Sequence, residues 1–162
     1  MAIKKRLKLE KGDIFEVPFE NCKKGYFQYV MDDESLMGSN IISVFDIQIS
    51  NESVIDFEIL KTCKFKFYTH CMVLGGYKLD IFFKIGNLQL EDNFKIPYFR
   101  DQSERGGVEK SYSWYVWKAN EEFEKIGELT EKYKSYNLGG IFHPLDVKEW
   151  METGECGFFF PK

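Results

Sequence analysis

Residues 12–19 read GDIFEVPF and residues 25–31 read GYFQYVM, with the polar link ENCKK between them. Phe15, Val17 and Phe19 recur at period 2 and share one face of an extended segment, while Glu16 and Pro18 point the other way. Tyr26, Phe27, Tyr29 and Val30 form a second run suited to a pleated surface. The two runs read as a β-hairpin. Pro18 has no N–H to give a ladder, which places its strand at an edge or at a bulge. This hairpin is expected to nucleate a strongly bent antiparallel sheet that later strands complete.

On its N-terminal side, Ile3 to Leu9 alternates in part and reads as a lead-in strand. On its C-terminal side, Asp32-Asp33-Glu34 makes a charged turn, Ile41 to Ile49 a third strand and residues 50–53 a turn. Val54 to Leu60 fits both periods, with strand favoured over a short helix. Lys64 to Leu74 carries apolar groups on both faces, as a central strand does: Phe65, Phe67, Thr69, Cys71 and Val73 on one, Tyr68, His70, Met72 and Leu74 on the other. Gly75-Gly76 reads as a hairpin turn, and Tyr77 to Ile85 as the return strand, with Leu79, Ile81, Phe83 and Ile85 inward.

Beyond a loop at 86–95, Pro97 to Arg100 is a short extended piece and 101–110, with Gly106-Gly107, a mobile polar loop. Ser111 to Trp117 is an aromatic strand. Glu121 to Leu129 reads as another strand, and Thr130 to Tyr136 as a short helix or turn. Pro144 to Thr153 carries the strongest helical pattern: Pro at the first position, Val147, Trp150 and Met151 on one face, and Gly154 as a stop. Phe158 to Phe160 reads as a final strand or a docked tail. The fold class that follows is mainly β (α+β): a strongly bent antiparallel sheet or partly open barrel with a C-terminal helix, in a single domain over 1–162.

Of the 162 residues, 17% are aromatic and 30% charged, the balance of a globular chain that leans toward strands. Lys4, Lys5, Arg6, Lys8 and Lys11 against Glu10 give the first eleven residues a net +4, so the remainder carries −8. An acidic body disfavours nucleic acid and suits a basic partner. No apolar run is long enough to span a bilayer, and Cys22, Cys63, Cys71 and Cys156 form no C-x-x-C pair. A cytoplasmic protein with reduced thiols is expected, with disulfides left open.

No catalytic motif is evident. His70 and Cys71 adjoin on one strand and point to opposite faces, so they read as packing residues rather than metal ligands. His143, before Pro144 and near Asp146, has no nucleophile placed beside it. The glycine pairs lack the spacing of phosphate loops. No metal, no cofactor and no catalytic residue are expected. The aromatic strand Tyr112 to Trp117 admits three readings: core, protein interface, or a stacking platform for single-stranded nucleic acid. The acidic clusters Asp32-Asp33-Glu34 and Glu121-Glu122-Glu124 are either a solvated face or a docking surface for a basic partner.

The segments KGDIFEVPF (11–19), GYF (25–27), KIGN (84–87), PYFR (97–100) and Trp114 to Lys118, with GELT at 127–130 and LGG at 138–140, resemble the immunity protein 26 family of bacterial polymorphic toxin systems. The resemblance covers most of the chain, residues 7 to 152. It implies a small, mainly β cytoplasmic protein that binds and neutralises a cognate toxin domain, often a nuclease, and it transfers no catalytic residue. On this reading Asp32, Asp33, Glu34, Trp114, Glu121 and Glu122 are the expected partner contacts, an acidic surface occluding a basic groove. The alternative is a nucleic-acid-binding β-module using the basic N-terminus and the aromatic strand. Self-association is left open.

Overall fold

The computed structural model describes residues 6–104, 107–158 and 160–162. Strands β1 (Asp13–Pro18), β2 (Lys23–Asp33) and β3 (Ser39–Ser50) follow one another, with a 3-10 turn (Glu34–Leu36) between the last two. Next come α1 (Phe57–Thr62), β4 (Phe65–Cys71), α2 (Val73–Lys78), β5 (Phe83–Asn87), β6 (Tyr98–Gln102), β7 (Trp114–Lys118) and β8 (Glu124–Gly127). The chain then forms α3 (Glu131–Lys134), β9 (Asn137–Leu138), β10 (Ile141–Phe142) and α4 (Pro144–Thr153). The strands divide between two sheets, of order β10-β4-β3-β2-β1-β5 and β8-β7-β6-β9, and neither closes into a barrel. Each is antiparallel except for one short parallel pairing, β10 with β4 and β9 with β6. The chain is thus mainly β with a C-terminal helix, as expected, but built on two mixed sheets.

The first hairpin forms as read. Phe15 lies opposite Phe27, and their rings stack at 5.1 Å between centroids. The link closes through Phe19 N donating to Lys23 O (2.8 Å), with Cys22 in the left-handed region at φ 59°. Pro18 lies past the last pairing of β1 with β5, where no ladder bond is asked of it. Phe15, Val17, Phe27, Ile42 and Val44 form one face of the larger sheet, covered by α4 through Val147, Trp150 and Met151. The other face meets the smaller sheet, where Val30 and Ile41 pack with Phe99 and Trp117. Beside that contact, Ile55 and Leu60 of the α1 segment cover Ile14, Tyr26 and Phe45.

Helix α4 has the predicted bounds. His143 Nδ1 accepts from Leu145 N (3.2 Å), Pro144 occupies the first turn, and Gly154 at φ 82° ends the helix by donating to Trp150 O (2.8 Å). His143 is therefore an exposed helix cap.

Three expectations are corrected. Gly75-Gly76 is not a hairpin turn: β4 ends at Cys71, and Asn40 Oδ1 accepts from Val73 N (3.0 Å), drawing the chain off the ladder into α2. The expected return strand is replaced by that helix and by β5, which pairs with β1 rather than β4. Phe82, skipped by the alternation, is fully buried, whereas Leu79 is 61% exposed. Second, Val54 to Leu60 is not a strand: the Asp56 side chain accepts from Glu58 N (2.9 Å) and starts a helix. Third, a register shift between Val44 and Phe45 puts Phe65 opposite Phe45, where its ring also meets Tyr68. Phe65 therefore leaves the face of Phe67, which stacks on Trp150.

Residues 6–10 form no strand. Ile3 of the lead-in strand, Gly106 of the polar loop and Phe159 of the tail lie outside the described residues. No helix among the described residues is long and apolar enough to cross a membrane. All four cysteines are unpaired.

Candidate partner-binding site

The two acidic clusters, almost ninety positions apart, meet at one corner of the molecule. Glu34 N donates to Asn120 Oδ1 (2.8 Å), Ser35 Oγ donates to Glu121 O (2.8 Å), and Asn120 Nδ2 donates to Asp32 O (3.3 Å). These bonds fasten the 3-10 turn to the loop between β7 and β8. Asp32, Glu34, Glu121 and Glu122 are exposed there. Glu121 reaches Lys118 at 3.5 Å, while Glu34 and Glu122 form no ion pair among the described residues. Met37, at the end of the turn, is 90% exposed and left-handed at φ 58°.

Asp33 and Trp114 correct the expected contact set, since both side chains are fully buried. Asp33 is the internal tie of the corner. Its Oδ1 accepts from Ser35 N (3.0 Å) and Asn120 N (2.9 Å), and its Oδ2 accepts from Trp117 Nε1 (2.9 Å) and His70 Nε2 (2.9 Å). A carboxylate only accepts, so the His70 proton sits on Nε2. His70 Nδ1 then finds no partner among the described residues. The His70 ring is packed against Phe99 at 4.2 Å and Trp117 at 5.8 Å. Trp114 points away from this network, with Arg100 over its ring at 5.3 Å. Its Nε1 is buried without a partner among the described residues. The sequence reading treated His70 as a packing residue and missed its pairing. The signal available was a histidine on a strand read as central, between Thr69 and Cys71, which needs a hydrogen-bond partner once buried.

Burial pushes the Asp33 carboxyl upward, but the bonds from Asn120, Trp117 and His70, with the attraction of the His70 ring, together hold it below the usual carboxylate range. Burial lowers His70, and Asp33 opposes that only in part. The native state therefore binds fewer protons than the unfolded chain at both groups as the solution is acidified. His70 lowers stability as pH falls below 6.5, its ordinary value, and Asp33 adds to the loss below 3.8. Urea midpoints measured between pH 8 and pH 3 are expected to fall in these two windows. A midpoint constant from pH 7 to pH 5 would show that His70 does not carry the upper one.

Beside the acidic corner, a cleft of about 750 Å³ opens between the 3-10 turn and β7–β8. Leu36, Tyr112, Tyr115 and Phe123 line it, with Ser35 and Lys125. Phe123 packs edge-on against Tyr115 (5.4 Å) and Trp117 (4.9 Å), so its ring is braced while 44% of it stays exposed. The Tyr115 hydroxyl, pushed up to about 12 by burial and by Asp101, donates to Asp101 Oδ2 (3.3 Å). Trp114 and Trp117 are buried, so their faces are closed to stacking with bases. Among the described residues no group of three or more His, Cys, Asp or Glu is placed to hold a metal ion.

Comparison with protein-family models, with curated proteins and with solved structures finds no match to this chain.

Proposed function

We propose that the protein is an immunity-type inhibitor that binds a basic partner, a toxin domain of nuclease character, and occludes its groove with the acidic corner. The observation that carries this reading is the convergence of Glu34 with Glu121 and Glu122 beside an apolar cleft. An apolar centre with a charged rim is the anatomy of a protein interface. Exposed carboxylates would steer a cationic partner into encounter, and the apolar contacts would set the lifetime of the complex. A nuclease groove that holds phosphates is cationic and offers the matching charge. The resemblance to the immunity protein 26 family agrees with this chemistry.

The test is co-purification of the tagged full chain from its native host, with the product of the adjacent reading frame as the first partner sought. A stoichiometric basic protein is the expected result. Glu34→Lys with Glu122→Lys should then slow association by about tenfold or more at low salt, leaving thermal unfolding unchanged because both side chains are exposed. Recovery of nucleic acid in place of protein, or unchanged binding by the double variant, would overturn the assignment.

A further inference from the structure

The cleft beside the acidic corner has a chemistry of its own, distinct from that of the rim. Its lining combines Leu36, Tyr112, Tyr115 and Phe123 with the single cation of Lys125. Tyr112 is 61% exposed, with Lys110 over its ring at 4.9 Å, and Phe123 is 44% exposed, so two rings reach solvent where they line the cleft. A volume of about 750 Å³ exceeds any single side chain and admits one large ring with the backbone that carries it. The neighbouring strand offers no easier route in. β8 is an edge, but it has four residues, carries Glu124 and Lys125, and bulges at Ile126 where the register with β7 shifts. Shortness, charge and a bulge are what keep an edge from accepting another strand.

We infer that the cleft receives one large apolar side chain, aromatic or aliphatic, projecting from a basic segment of a protein partner. The inference rests on the reading of the acidic corner as the partner-facing surface and adds what enters beside it. Charge complementarity selects the flanks: Glu34 and Glu122, exposed and without ion pairs among the described residues, adjoin the lining residues Ser35 and Phe123. The rings of the lining select the centre, because a cation carried into it would lose water, find no carboxylate among the lining residues and meet Lys125 there. Such an anchor filling a braced pocket is the pattern of an interface hot spot.

The experiment titrates the isotope-labelled full chain with three capped tripeptides and follows its amide resonances. The peptides are lysine–phenylalanine–lysine, lysine–alanine–lysine and glutamate–phenylalanine–glutamate. The first is expected to shift Leu36, Tyr115 and Phe123 saturably and to bind about tenfold tighter than either control. Tyr112→Ala, at an exposed position, should weaken that binding without changing thermal unfolding. Equal binding of the alanine peptide would overturn the anchor, and equal binding of the glutamate peptide would overturn the role of the rim. Shifts centred elsewhere, or none, would overturn the cleft itself. The peptides need no toxin, so a failure here with a basic partner captured from the host would leave the inhibitor reading standing.

Discussion

Asp33→Ala is expected to destabilise the fold by about 3–5 kcal/mol, a large share of the total for a domain of this size. The carboxylate is fully buried and accepts four hydrogen bonds. Its loss would strand Trp117 Nε1, His70 Nε2 and two backbone N–H groups, each at the cost of an unmet buried donor. Asp33→Asn separates the charge from the geometry. Its amide oxygen can keep one pair of donors, but its NH₂ would face the other pair. His70 can exchange its tautomer to accept, whereas Trp117 cannot. The expected order of stability by urea unfolding is wild type, then Asp33→Asn, then Asp33→Ala. A loss below about 1 kcal/mol for the alanine variant would mean that the network is not what holds the corner.

The second large effect separates two neighbouring glycines. A Cβ built on Gly76 would lie 2.2 Å from Cδ2 of the buried Phe82 ring, while one on Gly75 meets Met72 Cβ at an ordinary 3.5 Å. Both glycines lie inside α2, and neither has a positive φ. Gly75→Ala should therefore stabilise by up to about 1 kcal/mol, the helix preference of alanine over glycine. Gly76→Ala gains the same preference but must displace a ring locked edge-on to Phe27 at 4.9 Å, and should cost a net 1–3 kcal/mol, roughly. In a hairpin turn both substitutions would be strained, so opposite signs in thermal unfolding distinguish helix from turn. Two losses of similar size would contradict α2.

That pair also shows where local reading stops. The first hairpin and α4 were legible because their signals are contained within the segment: period-2 alternation around Phe15 and Val17, and a proline, an apolar stripe and a glycine in order around Val147. At Gly75-Gly76 the deciding partners were Asn40, which takes the Val73 N–H, and Phe82, which needs the space a side chain would fill. Neither is visible in the dipeptide. The acidic corner divides in the same way. Glu34, Glu121 and Glu122 could be listed from composition, but their meeting depends on Asn120 reaching across to the 3-10 turn. Asp33 looks like its neighbours in sequence, yet it sits where the strand turns inward and finds four donors. Trp114 looks like an anchor, yet in the wall of the cleft it is fully buried, with Arg100 over its ring.

The step from β9 to β10 has a kinetic side. Leu138 pairs with Arg100 in one sheet and Ile141 with His70 in the other, with Gly139 and Gly140 between them. Gly139 lies against the Trp117 ring, so this short passage also touches the residue that donates to Asp33. Each sheet thus receives a strand from a stretch of six residues near position 140, and both pairings span long separations in the chain. Such contacts close slowly, since the loop entropy is lost before the contacts form. On the ribosome the smaller sheet lacks its last strand until residue 138 has emerged and the larger until residue 142, so the two are completed almost together, late in synthesis.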